Sequence, residues 1–185
     1  KLVNKGEPIT IGQTPAVLEM LGAEQLPIVI TQGMVEKATT EKHGISIETM
    51  KKLPAAISDP IMVFDSASYP DSLVVMTELK KDGKTIVAAV RLSRTLKHHE
   101  VNEIISVHPR ESDAHFFNWI NQGLLRYQNK QKSRDWFQSR GLQSPKEETA
   151  NRGFRNRAWS LTSVLQLPGV RAPKHGFKNK ILYSH

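Results

Sequence analysis

The stretch SLVVMTELKKDGKTIVAAVRL, residues 72–92, constrains the fold more than any other part of the chain. Two runs rich in Val, Ile and Thr are joined around Asp82-Gly83. An Asp-Gly pair between such runs signals a hairpin, because both residues accept the left-handed backbone that a tight turn demands. The flanking segments carry the same β texture. PIMVFDSAS (60–68) reads as a strand ending in small polar residues, and VNEIISVHP (101–109) as another, stopped by Pro109. Sequential strands with short connections predict an antiparallel β-meander of three to five strands.

Helical punctuation surrounds this centre. Residues 1–13 read as an extended lead-in. In TPAVLEMLGA, Thr14 is placed as N-cap, Pro15 at the first helical position and Gly22 as the stop. LPIVIT (26–31) is a short buried segment, a strand or the start of a helix. Residues 32–43 predict a helix ending before Gly44, and SIETMKKLPAAI predicts two short helical pieces with Pro54 in a turn between them. Downstream, Phe116, Trp119, Ile120, Leu124 and Tyr127 recur at helical spacing, so one long helix is expected from a Ser112 cap to Gly141. Beyond Gly141 the chain is rich in Gly, Pro, Asn and basic residues. The expected architecture is α+β: N-terminal helices, the meander, one long helix and a basic irregular C-terminal segment. That gives a domain over 1–141 and an extension over 142–185.

Charge separates the two ends of the chain. Residues 1–125 hold 13 Lys and Arg against 15 Asp and Glu, whereas residues 126–185 hold 13 against 3. So basic a segment attracts polyanions, of which nucleic acid is the commonest. A solubilising tail and a docking surface for an acidic protein are the other readings. Within the extension, Arg152, Arg155, Arg157, Arg171 and Lys174 are the candidate phosphate contacts, and Trp159 is the candidate base-stacking residue. The chain has no cysteine, which excludes disulfides, thiol catalysis and cysteine-ligated metals. No apolar run reaches the ~18–20 residues of a membrane span, and no basic-then-apolar leader opens the sequence. The start at Lys1 suggests a piece of a longer polypeptide.

Phosphate loops, HExxH and dinucleotide fingerprints are absent. His98-His99, with the scattered His108 and His115, lacks the spacing of a metal site, so these read as surface histidines and no cofactor is expected. A reaction through side chains alone remains open. Cleavage of RNA through its own 2′-hydroxyl needs a base, an acid and a cation, which His, Glu, Lys and Arg supply. MVEKATTEKHGI (34–45) offers Lys37, Lys42 and His43; on an ideal helix Lys37 and His43 stand about 120° apart. His43 reads equally as an ordinary residue at a helix C-terminus. Glu78 and Arg91, one on each hairpin strand, are candidate cross-strand neighbours, or a surface ion pair. Ser66 and Ser106 follow apolar strand runs and can touch a phosphate or simply make turns.

In order, TPAVLEMLGA, LPIVIT, VEKATTEKHGIS, MKKLPAAISDPIMVFDSAS, SLVVMTELKKDGKTIVAAVRL, VNEIISVHPR and WINQGLLRYQNKQKS span roughly residues 11–135. This series resembles the phage MuF C-terminal domain family. The resemblance implies a toxin-like effector, similar to the barnase, EndoU, colicin and RelE group of metal-independent ribonucleases. Its implied site is His43, Lys37, Ser66, Glu78, Arg91 and Ser106. His43 would be base or acid, Glu78 its counterpart, and Lys37 and Arg91 the phosphate-stabilising cations. The chain departs from the pattern at His108, where an aromatic residue is expected after SV. RNA, tRNA included, is the implied substrate, with an acidic immunity protein as partner. The implied place of action is the cytoplasm of a target or host cell, reached from a phage particle or within a larger secreted protein. A nucleic-acid-binding phage structural or packaging module and an ADP-ribosyltransferase are the competing expectations, since fold alone does not fix chemistry.

Overall fold

The computed structural model describes residues 8–40, 43–141 and 182–184. In chain order the elements begin β1 (Pro8–Gln13), α1 (Ala16–Glu19), β2 (Pro27–Thr31), α2 (Gln32–Thr39), α3 (Ile47–Lys51) and α4 (Leu53–Ser58). They continue β3 (Met62–Asp65), β4 (Ser72–Lys81), β5 (Lys84–Leu96), β6 (His99–Pro109), α5 (Ala114–Asn121), β7 (Leu125–Asn129), α6 (Lys130–Gln138) and β8 (Leu182–Ser184).

The hairpin forms as its turn residues predict. Lys81 pairs with Lys84, and Asp82 and Gly83 carry φ of 50° and 75°, the backbone of a type I′ turn. The sheet around it is larger than a meander. Among the described residues, eight strands lie in the order β1-β2-β6-β5-β4-β3-β7-β8. Strands β3 to β6 run antiparallel to their neighbours within that set, but β2 lies parallel to β6, and β8 parallel to β7. The expected three-to-five-strand antiparallel meander is therefore corrected to an eight-stranded mixed sheet. The reason is that short runs flanking the centre, including the lead-in at 8–13, find strand partners that only tertiary structure supplies.

The single long helix is a second correction. Gly123, at φ 72°, turns the chain after α5, and the Leu124 N–H donates to the Trp119 carbonyl, a left-handed helix stop. Leu125–Asn129 then joins β3 as a strand before α6 begins. A bulge separates the pairs Val63–Tyr127 and Phe64–Leu125, so Leu125 and Tyr127 face opposite layers despite being two residues apart. Thr14 does not cap α1 either. Pro15 holds the N-cap position, while the Thr14 hydroxyl donates to the Leu26 carbonyl and accepts from buried Asn102. Pro54 sits in the first turn of α4, where its missing N–H costs nothing.

Both faces of the sheet are covered. Val63, Leu73, Val75, Ile86, Ala88 and Val90 pack against residues of α1, α2 and α4. Met62, Phe64, Val74, Met76 and Val87 pack against Phe116, Phe117 and Ile120 of α5 and Trp136 and Phe137 of α6. This is why LVVM is apolar at every position rather than alternating: a strand buried on both sides has no solvent face. Arg140 locks the second layer. Its guanidinium donates to Asp113 at 2.5 Å and lies over the Trp136 ring at 4.3 Å. Among the described residues, no helix is long and apolar enough to cross a membrane.

Candidate functional site

Helix α2 is held at both ends by threonines. The Thr31 hydroxyl accepts from the Met34 N–H, and Thr39 and Thr40 donate back to the Val35 and Lys37 carbonyls. Lys37 stands in the last turn, where the helix dipole favours a cation. The helix ends at Thr39, so His43 is not helix-borne as the sequence suggested. It lies in the following turn, its N–H bonded to the Thr40 carbonyl. Gly44, at φ 54°, and the Ile45 N–H bonded to the Ala38 carbonyl bring the chain back to the core. That turn is tight: a Cβ on Gly44 would stand 2.9 Å from Lys81 Cε.

The turn delivers His43 to β6. Strand β2 pairs with β6 only from Asn102 to Ile104, and the later part of β6 carries Ser106 and His108. His43 and His108 face each other with ring centroids 5.7 Å apart and planes 33° apart. Ser106 Oγ lies 2.8 Å from His108 Nδ1, since alternate strand residues share a face. Burial, then the positive fields of Arg110, His43, Lys37 and His115, pushes the His108 pKa down to about 4. His108 is thus a neutral imidazole at neutral pH. Burial and Arg110 lower His115 as well, and burial lowers Arg110 itself.

On the other side of Arg110 a cleft of about 280 Å³ opens between the 66–68 turn and α5. Its walls include Ser66, Arg110, His115, Asn118, Trp119 and Gln122. The Arg110 guanidinium lies over the Trp119 ring at 4.5 Å, a cation–π contact that fixes its plane. The Ser66 hydroxyl accepts from the N–H groups of Ser68 and Tyr69. Two polar atoms at this cleft, Arg110 Nε and His115 Nδ1, are buried and make no hydrogen bond within the protein, which leaves their hydrogen-bonding capacity unused.

Of the residues singled out in the sequence, Lys37, His43 and Ser106 gather here around His108, and Ser66 lines the neighbouring cleft. Glu78 and Arg91 are engaged elsewhere. Glu78 accepts from Lys132 at 2.6 Å, a lysine that also pairs with Asp59 at 2.6 Å. Arg91 pairs with Asp71 at 2.8 Å and lies 5.6 Å from the Tyr69 ring centroid. Nor are the two cross-strand neighbours: Arg91 stands opposite Ser72, while Glu78 lies in the irregular stretch between Met76 and Lys80. Hydrogen bonding to Arg91 holds Asp71 below the usual carboxylate range. His98 lies in the exposed β5–β6 turn with His99 beside it. Lys42 and the basic candidates Arg152, Arg155, Arg157, Trp159, Arg171 and Lys174 fall outside the described residues.

His108, Arg110, His115, Asn118 and Gln122, which the fold brings to the histidine pair and the cleft, were not among the site residues expected from the sequence. The available signal was the alternation Ser106-x-His108-x-Arg110, which puts three polar groups on one strand face at the end of an apolar run.

Comparison with known families matches residues 34–135 to the phage MuF C-terminal domain. That span contains every group of the histidine cluster and of the cleft. No curated protein and no solved structure matches the chain. With more than half its length in that match, the chain belongs to the phage MuF C-terminal domain family.

Proposed function

We propose that this phage domain is a metal-independent endoribonuclease of toxin type that cleaves RNA through the 2′-hydroxyl. The observation that carries the reading is the histidine pair, His43 facing His108 at 5.7 Å, with Lys37 and Arg110 close enough to depress His108. Two imidazoles so placed resist being charged together, which separates their roles. His108, kept neutral by burial and by its cationic neighbours, takes the 2′-hydroxyl proton. The freed O2′ attacks phosphorus, a 2′,3′-cyclic phosphate forms, and the P–O5′ bond breaks. His43, on the other side of the pair, gives a proton to the departing O5′. Lys37 opposes the extra negative charge on the phosphoryl oxygens as it develops. Ser106 orients the His108 ring through Nδ1. In this assignment Lys37 keeps its expected cationic part, and His108 takes the part expected of Glu78.

The test is direct. Purified protein should cut total RNA in excess EDTA and leave 2′,3′-cyclic phosphate ends. His43→Ala and His108→Ala should each lower the rate about 10²-fold or more, the usual share of a positioned acid or base. RNA left intact by the folded parent protein overturns the reading. RNA retained but uncut would instead favour a binding module, which the charge of residues 126–185 alone can serve. If the domain acts as a toxin, its target is cytoplasmic RNA and its neutraliser an acidic protein seated over this cationic cluster.

A further inference from the structure

Helix α5 presents His115, Asn118, Trp119 and Gln122 at positions i, i+3, i+4 and i+7, a single stripe along one face. That stripe forms one wall of the 280 Å³ cleft, with Ser66, Ala67 and Ser68 among its other lining residues and Arg110 between the cleft and the histidine pair. The polar groups here are unevenly balanced. Arg110 is donor only, and its Nε is buried without a partner. Ser66 already accepts two N–H groups, so what it has left to offer is its proton. The side-chain amides of Asn118 and Gln122 each bring a donor and an acceptor, four residues apart on the same helix face. A ligand matching these walls is flat, has two adjacent acceptors for the guanidinium fork, and carries donors on the next edge for the amide oxygens.

We infer that the α5 cleft is a guanine subsite. Guanine presents O6 and N7 side by side to an arginine, and its N1–H and N2 amino group donate on the adjoining edge. Adenine offers a donor beside N7, which faces the Arg110 fork with like against like; cytosine offers a donor at N4. The cleft accommodates a purine ring, with Trp119 backing Arg110 so that its N–H edge stays aimed at the base. Because Arg110 also acts on His108, the base held in the cleft belongs to a nucleotide next to the phosphodiester at the histidines. This placement rests on the ribonuclease reading; recognition of the base does not.

Titration of the full chain with 5′-GMP, 5′-AMP, 5′-CMP, 5′-UMP and inorganic phosphate by calorimetry tests it. GMP is expected to bind at least tenfold more tightly than the other four. Asn118→Ala and Gln122→Ala should each bring GMP down to the AMP level with the thermal midpoint of the parent retained. Four nucleotides binding within twofold of one another, or phosphate binding as tightly as GMP, overturn the inference. Sequencing the ends of any cleaved RNA separates the two proposals. Cleavage without guanine preference, together with unselective nucleotide binding, removes the subsite and leaves the ribonuclease. Selective GMP binding with intact RNA removes the ribonuclease and leaves the subsite.

Discussion

His108 sets two pH dependences. Its folded pKa of about 4 lies below the ordinary histidine value of 6.5, so above pH 6.5 neither folded nor unfolded chain holds the proton and the group is silent. Between pH 6.5 and 4 the unfolded chain takes it up first, and stability falls through that window. His115, shifted in the same direction, adds to the slope. Thermal melts from pH 7.5 to 4 should therefore show a falling midpoint, with a shallower fall in His108→Asn. Under the proposed mechanism the same group limits catalysis: kcat/KM for RNA should drop as pH falls through about 4, and His108→Asn should lose that limb with most of the rate. His43 and Lys37 were legible as candidates because a basic cluster beside a glycine stands out in a sequence. Glu78 and Arg91 are not cross-strand partners, since Glu78 lies three residues before Lys81 and Arg91 seven beyond Lys84, the pair that sets the hairpin register. From that turn Arg91 would meet Val74, and the shift between Met76 and Lys80 moves it to Ser72; such irregularities leave no clear mark in composition.

At the scale of elements, the turn after α2 decides where His43 points. Gly44 is left-handed and crowded by Lys81, so Gly44→Ala should cost about 1–2 kcal/mol, the penalty for a Cβ in that conformation. Chemical denaturation measures this, and RNA cleavage should fall further than the stability loss explains as His43 is displaced. The α5–α6 layer offers a second test. Arg140→Ala removes both the Asp113 ion pair and the contact with Trp136, and should lower stability by about 1–2 kcal/mol with the histidine pair untouched. Helical spacing in 116–127 correctly marked Phe116 and Ile120 as buried, yet the same spacing ran on through Leu124 and Tyr127, which fold as the approach to β7 and as β7 itself. Gly123 was the visible break. Its force depends on β3 having an open edge to receive the strand, and that is decided by tertiary structure rather than locally.

Across the whole molecule, the sequence shows the central hairpin and the α+β character but not the extent of the sheet. The parallel contacts of β2 with β6 and of β7 with β8 join segments far apart in the chain, and no local pattern announces such pairings. The asymmetry of charge is a global property that the sequence states outright. Under the proposed reading, RNA affinity should fall steeply with salt, and a chain ending at Gly141 should show a shallower slope of log affinity against log salt, because it lacks basic residues that displace counterions. Binding measured from about 50 to 200 mM salt gives both slopes.

The two-sided burial of the sheet carries a consequence for synthesis. A chain emerging from the ribosome meets the helices of the first layer before the hairpin, so that face can be covered at once. The other face, with Met62, Phe64, Val74, Met76 and Val87, stays bare until Phe116 to Phe137 have followed. Nascent chains halted in that interval present an apolar sheet surface to the cytosol, a target for chaperones or a seed for aggregation.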